Sequence, residues 1–218
     1  KDASDYLKNN KVRQFTAEWW EAKAYRMTGV ITLEDAWGDF IKRGTEEVIP
    51  FPESFGMLNS MLNGGIAAGE ITVIGALTSV GKTTMVNEIA YHFWKNTGKT
   101  IGCAFLEASN GEAVENLLTI HTGHNLSLED RKNIDYDSLR SEIITDGRIL
   151  LLDHNGAVDT DELFLKLRAM VKGSGCDVVI IDPLQAAVTS NDNGTIDEFM
   201  DRLLKLAKET EVSIIVVS

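Results

Sequence analysis

An α/β domain with a mostly parallel sheet and helices on both faces is expected for the larger part of this 218-residue chain. Short apolar runs rich in Val and Ile alternate with longer stretches of helical periodicity. Several of these runs are apolar almost throughout, the pattern of strands buried on both faces. One of them, Ile71–Gly75, leads through a loop of small residues into an amphipathic helix.

Lys1–Asn10 is short and polar. Between Phe15 and Thr45 the spacing becomes helical, with Phe15, Trp19, Trp20, Ala24 and Tyr25 at three- and four-residue steps. A second helix is expected from Thr32, which can cap it, with Asp35 at a position where an acid favours a helix start. Leu33, Ala36, Trp37, Phe40 and Ile41 form its apolar stripe. Pro50 and Pro52 argue against regular structure over Glu46–Ser54, which reads as a linker. The compact domain is expected from Phe55. Strands are predicted at Ile71–Gly75, Thr100–Leu106, Arg148–Asp153, Asp177–Asp182 and Val212–Val217. Helices are predicted at Lys82–Lys95, Gly111–Ile144 with a break near His124–Asn125, Thr160–Val171 and Thr195–Thr210.

The chain is 44% hydrophobic and 25% charged, an ordinary globular composition. Its longest apolar runs, Val178–Ile181 and Val212–Val217, are far too short to cross a membrane as a helix. A formal net charge of −12 excludes a surface coated in basic residues, but it leaves room for a local basic groove. Cys103 and Cys176 sit singly in apolar contexts, so buried thiols in a reducing, cytoplasmic compartment are expected. The chain starts without Met and stops within an apolar run at Ser218, as a piece of a longer protein would.

The segment Ala76-Leu77-Thr78-Ser79-Val80-Gly81-Lys82-Thr83-Thr84 has the order of a P-loop. Backbone N–H groups from Ser79 to Thr83 can turn toward phosphate oxygens, and the helix N-terminus adds partial positive charge. Lys82 can reach the β- and γ-phosphates, and the Thr83 hydroxyl can ligate Mg²⁺. The usual motif begins with Gly, whereas this chain has Ala76, preceded by Gly75. A triphosphatase also needs an acid near the metal and a group that orients water. Val178-Val179-Ile180-Ile181-Asp182 has the pattern of a buried strand that delivers a carboxylate at its end, which makes Asp182 the metal-side acid. Glu107, after Leu106, is the candidate for polarising water, and Asp153 is its competitor. In a sheet of this kind, ligands sit beyond the carboxyl ends of the strands, where both Glu107 and Asp182 emerge.

These motifs together resemble the RecA-like motor of the DnaB-like hexameric replicative helicases (superfamily 4). Ala76, Ser79, Gly81, Lys82 and Thr83 match that family's loop. Leu106-Glu107 matches its catalytic pair, and Asp182-Pro183-Leu184-Gln185 its second motif. Leu62-Asn63-Gly64-Gly65 and Gly69-Glu70 are similar as well. Within the group, Lys1-Asp2-Ala3-Ser4-Asp5-Tyr6-Leu7 and Trp19-Trp20-x-Ala-x-x-Tyr resemble the bacteriophage primase-helicases and mitochondrial Twinkle.

The resemblance implies residues 1–10 as the tail of a TOPRIM-like primase domain, 11–54 as a helical linker and 55–218 as the ATPase core. It implies strand order 3-2-4-5-1, counting Ile71–Gly75 as the first. The implied nucleotide contacts are Ala76, Ser79, Val80, Gly81, Lys82, Thr83, Thr84 and Gln185. Thr83 and Asp182 hold Mg²⁺, and Glu107 and Lys82 act on ATP or another nucleoside triphosphate. Its partners would be single-stranded DNA, identical subunits in a hexamer or related ring, and other replisome proteins. The compartment would be a bacterial or phage-infected cytoplasm, or the mitochondrial matrix for a Twinkle-like protein. The segment Leu184–Glu198 answers to a DNA-facing loop yet has no Lys or Arg, so most DNA contacts are expected from loops outside this chain. A RecA/RadA-like recombinase and a nucleotide-gated assembly module remain as alternatives.

Three smaller signals have plainer explanations. His121 and His124 have a metal-like spacing but no supporting Cys or second pair, which favours a loop or helix-surface role. Trp19 and Trp20 lack basic interleaving and fit protein packing better than base stacking. Glu129-Asp130 reads as a solvated turn.

Overall fold

The computed structural model describes residues 3–21, 29–45, 47–77, 80–126, 134–144, 148–154, 159–188, 190 and 192–218. Thr78, Ser79, Glu129, Asp130 and the Ala22–Tyr25 part of the Trp-Trp motif lie outside them. The chain divides into two compact units, Lys1–Thr45 and Glu46–Ser218.

The first unit holds α1 (Ala3–Lys8), α2 (Val12–Glu21) and α3 (Leu33–Thr45). Tyr6, Phe15 and Trp19 stack in sequence at centroid distances of 5.5 and 5.9 Å. Thr32 caps α3 as expected. Its hydroxyl accepts from the Asp35 N–H at 3.2 Å, and the Asp35 carboxylate accepts from the Thr32 N–H at 2.9 Å. The predicted stripe of α3 is exposed at Leu33, Trp37, Phe40 and Ile41.

The second unit is built on a five-stranded parallel sheet. In chain order its strands are β3 (Ile71–Ile74), β4 (Ile101–Phe105), β5 (Ile149–Leu151), β6 (Val178–Asp182) and β7 (Ser213–Val217). They lie side by side as β3-β7-β6-β4-β5, the expected 3-2-4-5-1 order read from the other edge. Alternate residues of the central strands feed two cores. Ala104, Val179, Ile181, Ile214 and Val216 face one, and Cys103, Phe105, Val178, Ile180, Ile215 and Val217 face the other.

Helices α8 (Thr160–Arg168) and α10 (Asn193–Thr210) cover the first core through Leu163, Phe164, Leu167, Phe199, Leu203 and Leu206. Helix α5 (Lys82–Asn96) covers the second with Val86, Ile89, Ala90, Phe93 and Trp94, the three- and four-residue repeat of a buried face. Alongside it runs α6 (Asn110–Thr122), capped by Ser109 in a reciprocal bond pair with Glu112. Gly123, with φ +72°, ends α6. A separate helix, α7 (Tyr136–Ile143), follows, so the expected helical region is two helices. A turn of π-helix, Ala169–Gly173, extends α8 past its expected end.

Glu46–Ser54, expected as a linker, is instead part of this unit. β1 (Val48–Ile49) pairs antiparallel with β2 (Ile66–Ala67), and Ile49 and Phe51 are buried in the second core. The helix after them, α4 (Gly56–Met61), supplies Asn59. Its side-chain amide accepts from the Phe51 N–H at 2.8 Å and donates to the Phe51 carbonyl at 2.9 Å. One side chain thus does what a neighbouring strand would do, between two prolines that cannot donate. Gly65 lies against this segment with φ +151°, and a Cβ there would sit 2.0 Å from the Ile49 carbonyl oxygen.

Candidate active site

The loop after β3 is anchored to the neighbouring strand on both sides of its start. Ser218 donates its N–H to the Ile74 carbonyl at 2.9 Å, and Ala76 donates its own to the Ser218 carbonyl at 3.1 Å. Gly81 stands at the N-cap of α5 with φ +93°, a conformation that favours glycine. Ala76 is not among the positive-φ residues, so its backbone does not require glycine. That accounts for the departure from the usual motif. From the first turn of α5, Lys82 folds back across the loop and donates Nζ to the Ala76 carbonyl at 2.9 Å.

The acids arrive from adjacent strands. Phe105 on β4 pairs with Asp182 on β6, and Leu106 donates its N–H to the Asp182 carbonyl at 2.7 Å. Glu107 therefore leaves its strand beside Asp182, and its side chain is exposed, whereas Asp182 is buried. A cleft of about 660 Å³ is lined by Gly81, Lys82, Thr83, Thr84, Glu107, Asp182, Pro183 and Gln185. A second hollow of about 390 Å³ shares Thr83, Glu107 and Asp182 with it and continues to Asn87 and Glu112.

Burial pushes the Asp182 carboxyl above its ordinary range. The Thr83 hydroxyl, hydrogen-bonded to it, pulls the other way, the Glu107 carboxylate raises it further, and Lys82 opposes the rise. A buried carboxylate bonded to a hydroxyl, with a second acid nearby, is a hard-oxygen set suited to a divalent cation. Among the described residues no group of three or more His, Cys, Asp or Glu is placed to hold a metal ion. A cation in this cleft would therefore have few protein ligands, with phosphate and water completing its shell.

The sign of the Asp182 shift gives a test. The folded protein binds this proton more tightly than the unfolded chain does. The carboxylate therefore costs nothing below the ordinary value of 3.8, and its cost grows as pH rises through the higher folded value. Above that folded value the cost is fully present. Asp182→Asn is expected to raise the melting temperature of the nucleotide-free protein, with a gain over the parent that widens as pH rises above 3.8. It should also abolish the further rise caused by Mg²⁺ and nucleotide together. Melting curves with and without both ligands check this, and a lower melting temperature in the free variant contradicts it.

The cleft brings together Lys82, Thr83, Thr84, Glu107, Asp182 and Gln185 from separate stretches of sequence. Gln185 lies on a one-turn helix, α9 (Leu184–Ala187), and donates Nε2 to Ser218 Oγ at 3.0 Å. Val80 is exposed on the loop, and Ser79 is outside the described residues. Asp153 does not line the cleft. Its carboxylate accepts from Asn110 Nδ2 at 2.9 Å.

The remaining signals sit elsewhere. His121 bonds Tyr91 Oη at 2.9 Å and Glu142 at 3.2 Å, an inter-helix contact. Trp19 and Trp20 are exposed on α2, in the other unit. Cys103 and Cys176 are free and buried, and burial pushes the Cys176 thiol up to about 11. Sequence reasoning missed Asn87, which is 2% exposed, lines the second hollow and donates to the Thr83 carbonyl at 2.8 Å. Its signal was a lone amide on the apolar face of α5, one turn after Thr83.

Comparison with known proteins adds to this geometry. A family model described as the DnaB-like helicase C-terminal domain matches residues 51–218. The whole chain aligns at 25% identity with a DNA helicase/primase of Enterobacteria phage T3, of which it covers 40%. Seventy percent of it aligns at 28% identity with a probable plasmid replicative DNA helicase of Chlamydia psittaci, of which it covers 35%. The chain thus spans well under half of these relatives. Among solved structures, one described as an ATPase domain superposes with a TM-score of 0.63 at 21% identity, over 86% of this chain and 70% of that one. A KaiC-like protein from Pyrococcus horikoshii gives 0.57 at 17%, over 79% and 69%. At these identities the two structures speak to the fold, a RecA-like ATPase arrangement.

Proposed function

The chain belongs to the DnaB-like helicase C-terminal domain family, and on that footing we propose that it is the nucleotide-driven motor of a replicative primase-helicase. The observation that carries this reading is the cleft where Lys82, Thr83, Glu107 and Asp182 meet beyond the carboxyl ends of the strands. The α5 N-terminus and Lys82 receive the β- and γ-phosphates of ATP or another nucleoside triphosphate. Thr83 and Asp182 hold Mg²⁺, which when bound neutralises charge on those phosphates. Glu107, on the exposed side of the cleft, orients water and takes its proton. Gln185, tied to the end of β7 through Ser218, stands where it can follow the state of the nucleotide.

Hydrolysis in this reading drives a hexamer or related ring along single-stranded DNA and displaces the duplex ahead, in a bacterial or phage-infected cytoplasm with other replisome proteins. The exposed apolar stripe of α3 supports residues 11–45 as a linker that packs on a neighbouring subunit. Residues 1–10 are the tail of a TOPRIM-like domain. The lack of Lys and Arg in Leu184–Glu198 argues against DNA contact through that segment.

The test is strand displacement by the full-length protein on a duplex with a single-stranded tail, with electron microscopy of the same sample. Displacement that needs hydrolysable nucleotide and Mg²⁺, together with closed rings, is expected. Open filaments without displacement would point to a recombinase. Rings that hydrolyse without displacement would point to an assembly module.

A further inference from the structure

We infer that His154 is a positioning residue for Glu107: its imidazole fills the last rung between β4 and β5 and fixes the strand end from which Glu107 departs. This rests on the role proposed for Glu107.

The rungs between these strands advance two residues at a time. Ile101 donates its N–H to the Arg148 carbonyl at 2.7 Å, and Leu152 donates to the Cys103 carbonyl at 2.8 Å. The next carbonyl facing β5 is that of Phe105. By register its donor would be the backbone N–H of residue 154, since Ile101, Gly102 and Cys103 pair with Ile149, Leu150 and Leu151. The strand has ended by then, and His154 Nε2 donates to the Phe105 carbonyl at 2.9 Å instead. That bond requires the proton on Nε2.

Phe105 is 6% exposed, so its carbonyl has little access to water, and an unfilled rung would leave a costly unpaired acceptor. On the opposite side, Leu106 is held by the Asp182 carbonyl. The single peptide unit that joins Phe105 to Leu106, one residue before Glu107, is thus held from both neighbouring strands. At the far end of the short connection to α6, Asn110 bonds Asp153, the residue next to His154. Glu107 itself is exposed, so its place in the cleft depends on these backbone anchors rather than on packing around its side chain.

The test compares His154→Ala, His154→Gln and Glu107→Gln in the full-length protein, by single-turnover hydrolysis, nucleotide affinity and amide hydrogen exchange over residues 105–108. For His154→Ala, turnover should fall about ten- to hundred-fold with affinity unchanged, the loss expected of a displaced catalytic group. Exchange over residues 105–108 should quicken. Gln places an N–H donor at a similar reach, so His154→Gln should recover most of both. Wild-type turnover in His154→Ala overturns the inference. So does a loss that follows affinity, or one that Gln leaves uncorrected. The Glu107→Gln arm separates the two readings: if it keeps full turnover, the role of Glu107 fails, while the exchange data still judge the His154 brace.

Discussion

Glu107→Gln is expected to slow nucleotide hydrolysis by the full-length protein about 10³-fold, within the range for removing a general base. The substitution keeps the size of the side chain and one acceptor oxygen but cannot accept a proton at neutral pH. Glu107 is exposed, so the fold should be almost indifferent to the change. Its effect on Asp182 sharpens the expectation. The Glu107 carboxylate raises the Asp182 pKa, so neutralising it eases ionisation of Asp182, the proposed ligand of Mg²⁺. Binding of Mg²⁺ with nucleotide should therefore hold or tighten while turnover collapses. Single-turnover kinetics and equilibrium binding on the same preparation separate the two. Unchanged turnover would dismiss Glu107 as the base. A matching loss of affinity would make it a binding residue.

The sequence alone carried the parallel sheet, its flanking helices and most of the residues that line the cleft. The reason is physical. Buried parallel strands such as Val178–Ile181 must be apolar on both faces, and a phosphate loop must place Gly, Lys and Thr in a fixed order before a helix. Both constraints are local and leave a written trace. Strand order came from the family resemblance, because which strands lie side by side is set by packing between distant residues.

What the sequence concealed depends on contacts across longer separations. Pro50 and Pro52 spoke against a strand at Val48–Ile49, and only the Asn59 amide and the two-residue partner at Ile66–Ala67 explain why one forms there. In sequence Asn87 is only a lone amide on the apolar face of α5; the Thr83 carbonyl and the cleft wall beside it give that amide its place. Asp153 and Glu107 looked alike as acids after strands. The structure parts them by register: β4 lies next to Asp182, while β5 is the edge strand beyond it. His154 left no trace, since a side chain replacing a backbone donor has no sequence pattern.

The Lys82→Ala variant should lose more than any other, because its ammonium has a backbone partner in the loop and, in the proposed function, the phosphates as well. Nζ donates to the Ala76 carbonyl at 2.9 Å and ties the first turn of α5 to the residue after β3 and Gly75. With a triphosphate bound, the same group can turn to the β- and γ-phosphates, where charge builds as the bond to the leaving group lengthens. Loss of the first interaction alone removes a side-chain-to-backbone bond worth about 1 kcal/mol, so the folded protein should survive. Loss of the second removes a charge-assisted bond to the ground state, worth about 2–3 kcal/mol or roughly 10²-fold in nucleotide affinity. It also removes a contact that strengthens in the transition state, adding about 10²–10³-fold in turnover. The combined fall in kcat/KM should be about 10⁴-fold or more. The melting temperature without nucleotide should stay near that of the parent. Arginine should not substitute, because a planar guanidinium cannot follow the tight arc from the first turn of α5 back to Ala76. Steady-state hydrolysis, nucleotide titration and melting curves on Lys82→Ala and Lys82→Arg check each part. Turnover within about tenfold of the parent in the alanine variant would mean that the strand, loop and helix from Ile71 to Asn96 do not form a triphosphate site.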